Sequence, residues 1–387
     1  MSVAAAGELL LPVADGTLER FVPGEPAAFE PPARPPTSRV FYAAAHVVAD
    51  PLASSDSAGP ALDWEATLAY RRHLWSWGLG VAEAMDTAQR GMGLGWGEAR
   101  ELISRSAAEA RACGGRLAAG VGTDQLPAGR PAALSRIRDA YLEQCEFVEG
   151  EGCRPIVMAS RALAASARGP DDYRSVLDPV LAQAREPVIL HWLGDMFDPE
   201  LAGYWGWSNL NGATDEVLRL IADHADKVDG LKMSLLDDAR EIRLREALPD
   251  GVRLYTGDDF NYPSLIAGGS DALLGIFDAI APAAARALEV LDAGDSDGFE
   301  KTLEPTLPLA RKLFAAPTWH YKTGIVFLAW LNGHQSHFRM VGGLEGARTL
   351  VHLADVFRLA DGAGLLADPP LAIERMRRLL AVSGIDP

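Results

Sequence analysis

From position 39 onward, short apolar runs rich in β-branched residues alternate with longer stretches in which apolar side chains recur every three or four positions. The first pattern is that of buried strands, the second that of amphipathic helices packed against them. Strands are expected over 40–48, 78–82, 117–121, 155–159, 187–192, 228–233, 252–256 and 272–277. Between them the helical period predicts helices over 64–76, 97–111, 131–149, 172–185, 214–225 and 237–247, with Thr214 and Asp237 as N-caps. Eight strand-then-helix units within about 250 residues match an α/β fold of the (β/α)8 TIM-barrel type, with a doubly wound open sheet as its structural competitor.

The flanks have a different texture. Runs at 9–13 and 17–22 enclose Asp15-Gly16, a dipeptide suited to a tight hairpin turn, and a proline-rich stretch at 31–36 follows. Beyond position 294 only helical patterns remain, at 296–315, 319–333, 343–359 and 370–382. The expected organisation is an N-terminal hairpin arm and connector at 1–38, the barrel at 39–294, and a C-terminal helical extension at 295–387. That extension should pack on the barrel or on a neighbouring subunit.

Charge narrows the choice of partner. The 387 residues carry 53 acidic against 36 basic side chains, a net charge of −17, which repels nucleic acid and anionic membranes. A small-molecule substrate remains. No run approaches the roughly 18 to 20 apolar residues of a bilayer span, and the start, Met1 to Leu11, lacks a basic n-region and a cleavage site, so a cytoplasmic protein is expected. Cys113, Cys145 and Cys153 have no CxxC spacing and are read as reduced thiols. Gly91, Gly93, Gly95 and Gly97 lack the GKS/T ending of a phosphate loop and are read as a flexible loop. His320, His334 and His337 match no metal spacing and are read as structural. No motif for a cofactor or a metal is present, and no nucleophile elbow occurs.

Lysine is rare here: Lys227, Lys232, Lys301, Lys312 and Lys322 are the whole set. Lys232 ends the sixth expected strand, between Leu231 and Met233, and strand alternation puts it on the face of Val228 and Gly230, which in a barrel can be the interior. Lysine is almost never buried unless paired or used. A desolvated amine there could attack a substrate carbonyl to give an imine; alternatively it snorkels into solvent or pairs with Asp258 or Asp259.

Gly230-Leu231-Lys232, followed on the next strand by Tyr255-Thr256-Gly257-Asp258-Asp259, resembles the class I aldolase superfamily of dihydrodipicolinate synthase and N-acetylneuraminate lyase. Gly268-Gly269-Ser270-Asp271 through Phe277, Gly120-Val121-Gly122 and the run from Pro187 to Trp192 are similar to that family's eighth, third and fifth strands. The resemblance spans residues 40–331 and implies an oligomeric barrel, tetramer or dimer, with Lys232 as the imine-forming residue. The departures point to a separate dihydrodipicolinate-synthase-like branch. His191 stands where the family has a tyrosine, and Gly80-Val81-Ala82-Glu83 replaces G-T-T-G-E. Leu193-Gly194-Asp195-Met196-Phe197 lacks the expected arginine, so no substrate-carboxylate clamp is evident.

Further candidates lie at expected strand ends. His191 suits a proton relay, and Asp258 and Asp259 could orient Lys232 or act as acid or base, with turn formation as the competing role. Glu83 and Arg161 are candidate substrate binders. Trp192, Trp205 and Trp207, with Asn209 close behind, could stack on a sugar and bond its hydroxyls, or simply pack over the barrel. The functional expectation is a class I aldolase-like lyase or dehydratase acting through a Lys232 imine on a small, sugar-derived oxo compound. One alternative is a metal-dependent isomerase or epimerase with Glu83, His191 and Asp258 or Asp259 as ligands. The other is a non-catalytic metabolite-binding barrel.

Overall fold

The computed structural model describes residues 7–53, 60–127 and 130–385. Strands β1 (Leu9–Pro12) and β2 (Leu18–Phe21) form the antiparallel hairpin, Leu9 opposite Phe21. Asp15 sets its turn by accepting from the Thr17 backbone N–H and hydroxyl at 2.9 and 2.6 Å.

Eight parallel strands then close into a barrel: β3 (Phe41–Ala44), β4 (Gly80–Glu83), β5 (Leu117–Val121), β6 (Arg154–Val157), β7 (Val188–Leu193), β8 (Val228–Ser234), β9 (Arg253–Thr256) and β10 (Asp271–Leu274), with β10 pairing back on β3. All eight expected strands are present, several of them shorter than their apolar runs. The run at 40–48 leaves the ladder after Ala44 because side chains take over its backbone donors. His46 N–H donates to Asp278 at 2.7 Å and Val48 N–H to the Thr67 hydroxyl at 3.0 Å.

Around the barrel run α1 (Trp64–Ser76), α2 (Trp96–Cys113), α3 (Leu134–Gly150), α4 (Arg161–Ser166), α5 (Pro170–Gln183), α6 (Leu210–Asp223), α7 (Asp238–Ala247), α8 (Tyr262–Ala267), α9 (Ile276–Ala279) and α10 (Ala281–Asp292). Asp237 caps α7 as expected. Thr214 does not cap α6: the helix begins a turn earlier, Asn209 accepts from Gly212 N–H, and the Thr214 hydroxyl donates back to Leu210 O. The extension comprises α11 (Ser296–Leu303), α12 (Leu307–Leu313), α13 (Tyr321–Leu331), α14 (Leu350–Gly362) and α15 (Pro369–Val382). Arg358 of α14 ties the hairpin down by donating to the carbonyls of Leu11 and Pro12.

Strand alternation divides the core. Tyr42, Ala82, Ala118, Ile156, Ile189 and Leu273 fill the barrel interior with Tyr255, while their chain neighbours such as Val81, Ala119, Val157 and Leu190 face the helices. This apolar plug floors the C-terminal mouth. Every residue of α13 is buried between the barrel and the rest of the extension. No helix among the described residues is long and apolar enough to cross a membrane.

Candidate active site

Parallel register sets the site. Lys232 on β8 pairs with His191 on β7 and with Tyr255 on β9, so all three project into the barrel, Tyr255 into the apolar floor and Lys232 and His191 just above it. Lys232 is 5 % exposed. Its stem runs along Gly257, where an added Cβ would lie 3.1 Å from Lys232 Cε and 2.2 Å from Ser234 Oγ, so only glycine leaves room for this rotamer. Among the described residues the Lys232 amine has neither a hydrogen bond nor an ion pair. Burial therefore dominates and holds its proton affinity below the ordinary lysine value, opposed first by the charge of Asp86 and then by that of Asp259.

The groups around it also tend toward neutrality. Burial raises the Asp259 carboxyl, although one of its oxygens accepts from Ile276 N–H at 2.9 Å. His191 is 3 % exposed, and burial followed by the neighbouring Lys232 pushes its proton affinity well down, which leaves a neutral imidazole. The Ser234 hydroxyl lies 3.4 Å from its Nε2.

A hydrogen-bonded chain crosses the mouth from the extension. Tyr321, at the start of α13, donates to Asp86 Oδ2 at 2.9 Å and lies 2.5 Å from the Thr87 hydroxyl, which can donate to it in turn. Its ring stacks on Phe314 at 4.3 Å, fixing the phenol. A cavity of about 250 Å3 opens beside this chain, with Asp86, His191, Arg161, Phe197, Met158 and Lys322 in its wall. Lys232 stands behind that wall, next to His191.

The other expected residues divide clearly. Arg161 reaches the cavity. Glu83 does not: it faces outward on β4, in a two-armed ion pair with Arg71 of α1 at 2.9 and 2.8 Å, and accepts from Ser106 of α2. Asp258 builds the turn, accepting from the backbone of Phe260 and Asn261. Trp192 also faces outward and meets Trp205 edge-on at 6.1 Å in the layer beneath the helices. Trp207 packs on Gly212, and Asn209 is spent capping α6. The aromatic connection is thus a packing layer, and the ligand set drawn from Glu83, His191 and the aspartates does not assemble. Among the described residues no three metal-donor side chains come together. Two glycines of the run, Gly91 and Gly95, line the cavity, and between them Gly93 has φ +126°, where a Cβ would sit 2.8 Å from Val341.

Asp86, Thr87, Tyr321 and Lys322 escaped the sequence reading. For Lys322 a signal existed, since it is the one charge in the otherwise apolar and uncharged helix Tyr321–Leu331.

The family model described as "Protein of unknown function (DUF993)" matches residues 9–385. The chain belongs to this family. No curated protein matches this DUF993 chain. Among solved structures it is similar to a monomeric dihydrodipicolinate synthase variant, at 14 % identity over 85 % of this chain and 97 % of that one, TM-score 0.66. It is also similar to dihydrodipicolinate synthase from Thermotoga maritima (14 %, 85 % and 100 %, 0.65) and to DapA-2 from Bacillus anthracis (15 %, 83 % and 97 %, 0.61). At these identities the likeness establishes the TIM-barrel fold that this DUF993 chain shares with those synthases, and nothing finer.

Proposed function

We propose that this chain is a class I aldolase-like lyase, or a related dehydratase, acting in the cytoplasm through an imine between Lys232 and a small oxo compound. One observation carries the reading: a buried lysine on the barrel's inner face, with no hydrogen bond and no carboxylate within ion-pair distance among the described residues, and with burial favouring its neutral amine against the charges of Asp86 and Asp259. An amine in that state is a nucleophile.

Its lone pair adds to the carbonyl carbon and the C=O π pair moves to oxygen. Protonation and loss of that oxygen as water leave a cationic imine. The imine then accepts the electron pair released when a C–C or C–H bond at the adjacent carbon breaks, and hydrolysis later restores the amine. Protons must enter and leave at the carbinolamine oxygen and at that carbon. In this reading neutral His191 and the Tyr321–Thr87–Asp86 chain would carry them. With its tryptophans turned outward, the aromatic connection gives no support to a sugar-derived substrate.

Borohydride reduction in the presence of hydroxyacetone, followed by peptide mass spectrometry, tests the assignment. The expected product is a single alkylated lysine at position 232, absent in Lys232→Met. Labelling of surface lysines alone would overturn it.

A further inference from the structure

The cavity carries two cationic heads that imine chemistry leaves idle. Lys322 is 1 % exposed. Its Nζ donates to Trp319 O at 2.9 Å and meets the soft Met92 sulfur at 3.3 Å. The carboxylate oxygen facing it, Asp86 Oδ2, is 3.9 Å away and already accepts from Tyr321. An ammonium has three donors; with a weak thioether acceptor, a long 3.9 Å ion pair to Asp86 and the Tyr321 ring at 4.8 Å as its other neighbours, this one is under-used in a place where a poorly compensated charge is costly. Across the cavity, Arg161 commits Nε to Asp198 at 2.6 Å, while Nη1 has only a long 3.5 Å approach to Gly91 O. The two cations repel each other, Arg161 adding to the burial that weakens Lys322's hold on its proton. Arg90, by contrast, is fully engaged with Asp124, Gly120 O and Gln144.

We propose that Lys322 and Arg161 together bind an anionic group of the substrate, a carboxylate or a phosphate ester, remote from the carbonyl that reacts. Remoteness follows from the placement: Lys322 and Arg161 line the cavity, whereas Lys232 lies outside its wall beside His191, its register partner. The inference rests on reading this cavity as the substrate site, and it names the class of substrate: an oxo compound whose acidic end lies several bonds from its carbonyl. The clamp missing from the barrel's own strand ends is then supplied in part by the extension.

Calorimetric titration of the full chain with propionate, and separately with inorganic phosphate, reads the clamp without turnover. Saturable binding of at least one anion is expected. Affinity should fall about tenfold or more in Lys322→Met and stay unchanged in Lys301→Met, an exposed position on α11. The preferred anion identifies the carboxylate or the phosphate ester. Arg161→Met, at a part-exposed position, gives the same reading if Lys322→Met does not fold. Equal binding by wild type and both cavity variants, or no binding by wild type, overturns the clamp. Hydroxyacetone labelling of Lys232 is neutral-ketone chemistry and succeeds or fails independently of that result.

Discussion

Lys232 and His191 are register partners on adjacent parallel strands, so an amine and an imidazole share one level of the barrel interior, and Lys232 is a charge that disfavours protonation of His191. Burial holds both groups toward their neutral forms, which the proposed proton exchange would need. Holding a lysine in that state should cost stability.

Replacing Lys232 by Met removes a buried amine without a partner and keeps much of its volume. The variant should be as stable as wild type or more so, by about 1 kcal/mol in urea denaturation at neutral pH, while losing all borohydride labelling. A marked loss of stability would mean that the amine has a structural partner.

The pH dependence has a definite sign. An unfolded lysine keeps its proton up to about pH 10.4, whereas burial makes folded Lys232 release it earlier. Between the two values the unfolded chain binds more protons, so raising pH through that window adds stability, and lowering pH through the folded value removes it. Labelling needs the free amine and should rise at the lower edge of the same window. Asp86→Asn removes the leading charge that favours the ammonium, so the labelling midpoint should move to lower pH by about one unit. A midpoint that stays or rises counts against Asp86 as the neighbour that tunes the amine.

Tyr321→Phe keeps the ring stack on Phe314 and deletes the hydroxyl that joins Thr87 to Asp86. Exchange of hydroxyacetone α-protons with deuterated water, followed by NMR, should slow about 100-fold, with borohydride labelling of Lys232 retained. Unchanged exchange would remove Tyr321 from the proton path.

Glu83→Gln should act on folding alone. It leaves the buried Arg71 guanidinium without its carboxylate, at a cost of about 3 kcal/mol, and it should leave anion binding in the cavity unaltered once the protein is folded. Weakened binding would restore Glu83 to the site.

The eight strands and the lysine were legible because both depend on local pattern: β-branched runs between turn signals, and a rare residue type at a strand end. The same alternation that turns Lys232 and His191 inward turns Trp192 and Glu83 outward, and applied at those positions it already argues against them as ligand contacts. Whether an aromatic loop folds over the mouth or beneath the helices is decided by packing, here by Trp205 meeting Trp192 and Tyr173. Asp86, Thr87 and Tyr321 were illegible for a different reason. Tyr321 lies more than 200 residues from its two partners, and no spacing rule brings them together.

Tyr321 and Lys322 are consecutive residues in the first turn of α13, a helix that follows the eighth barrel strand in the chain. A barrel without its C-terminal extension would therefore hold an unfinished pocket, lacking both the phenol and the ammonium. Any event that shifts that helix by part of a turn moves a phenol and an ammonium together, which makes its docking a single control point for the whole mouth.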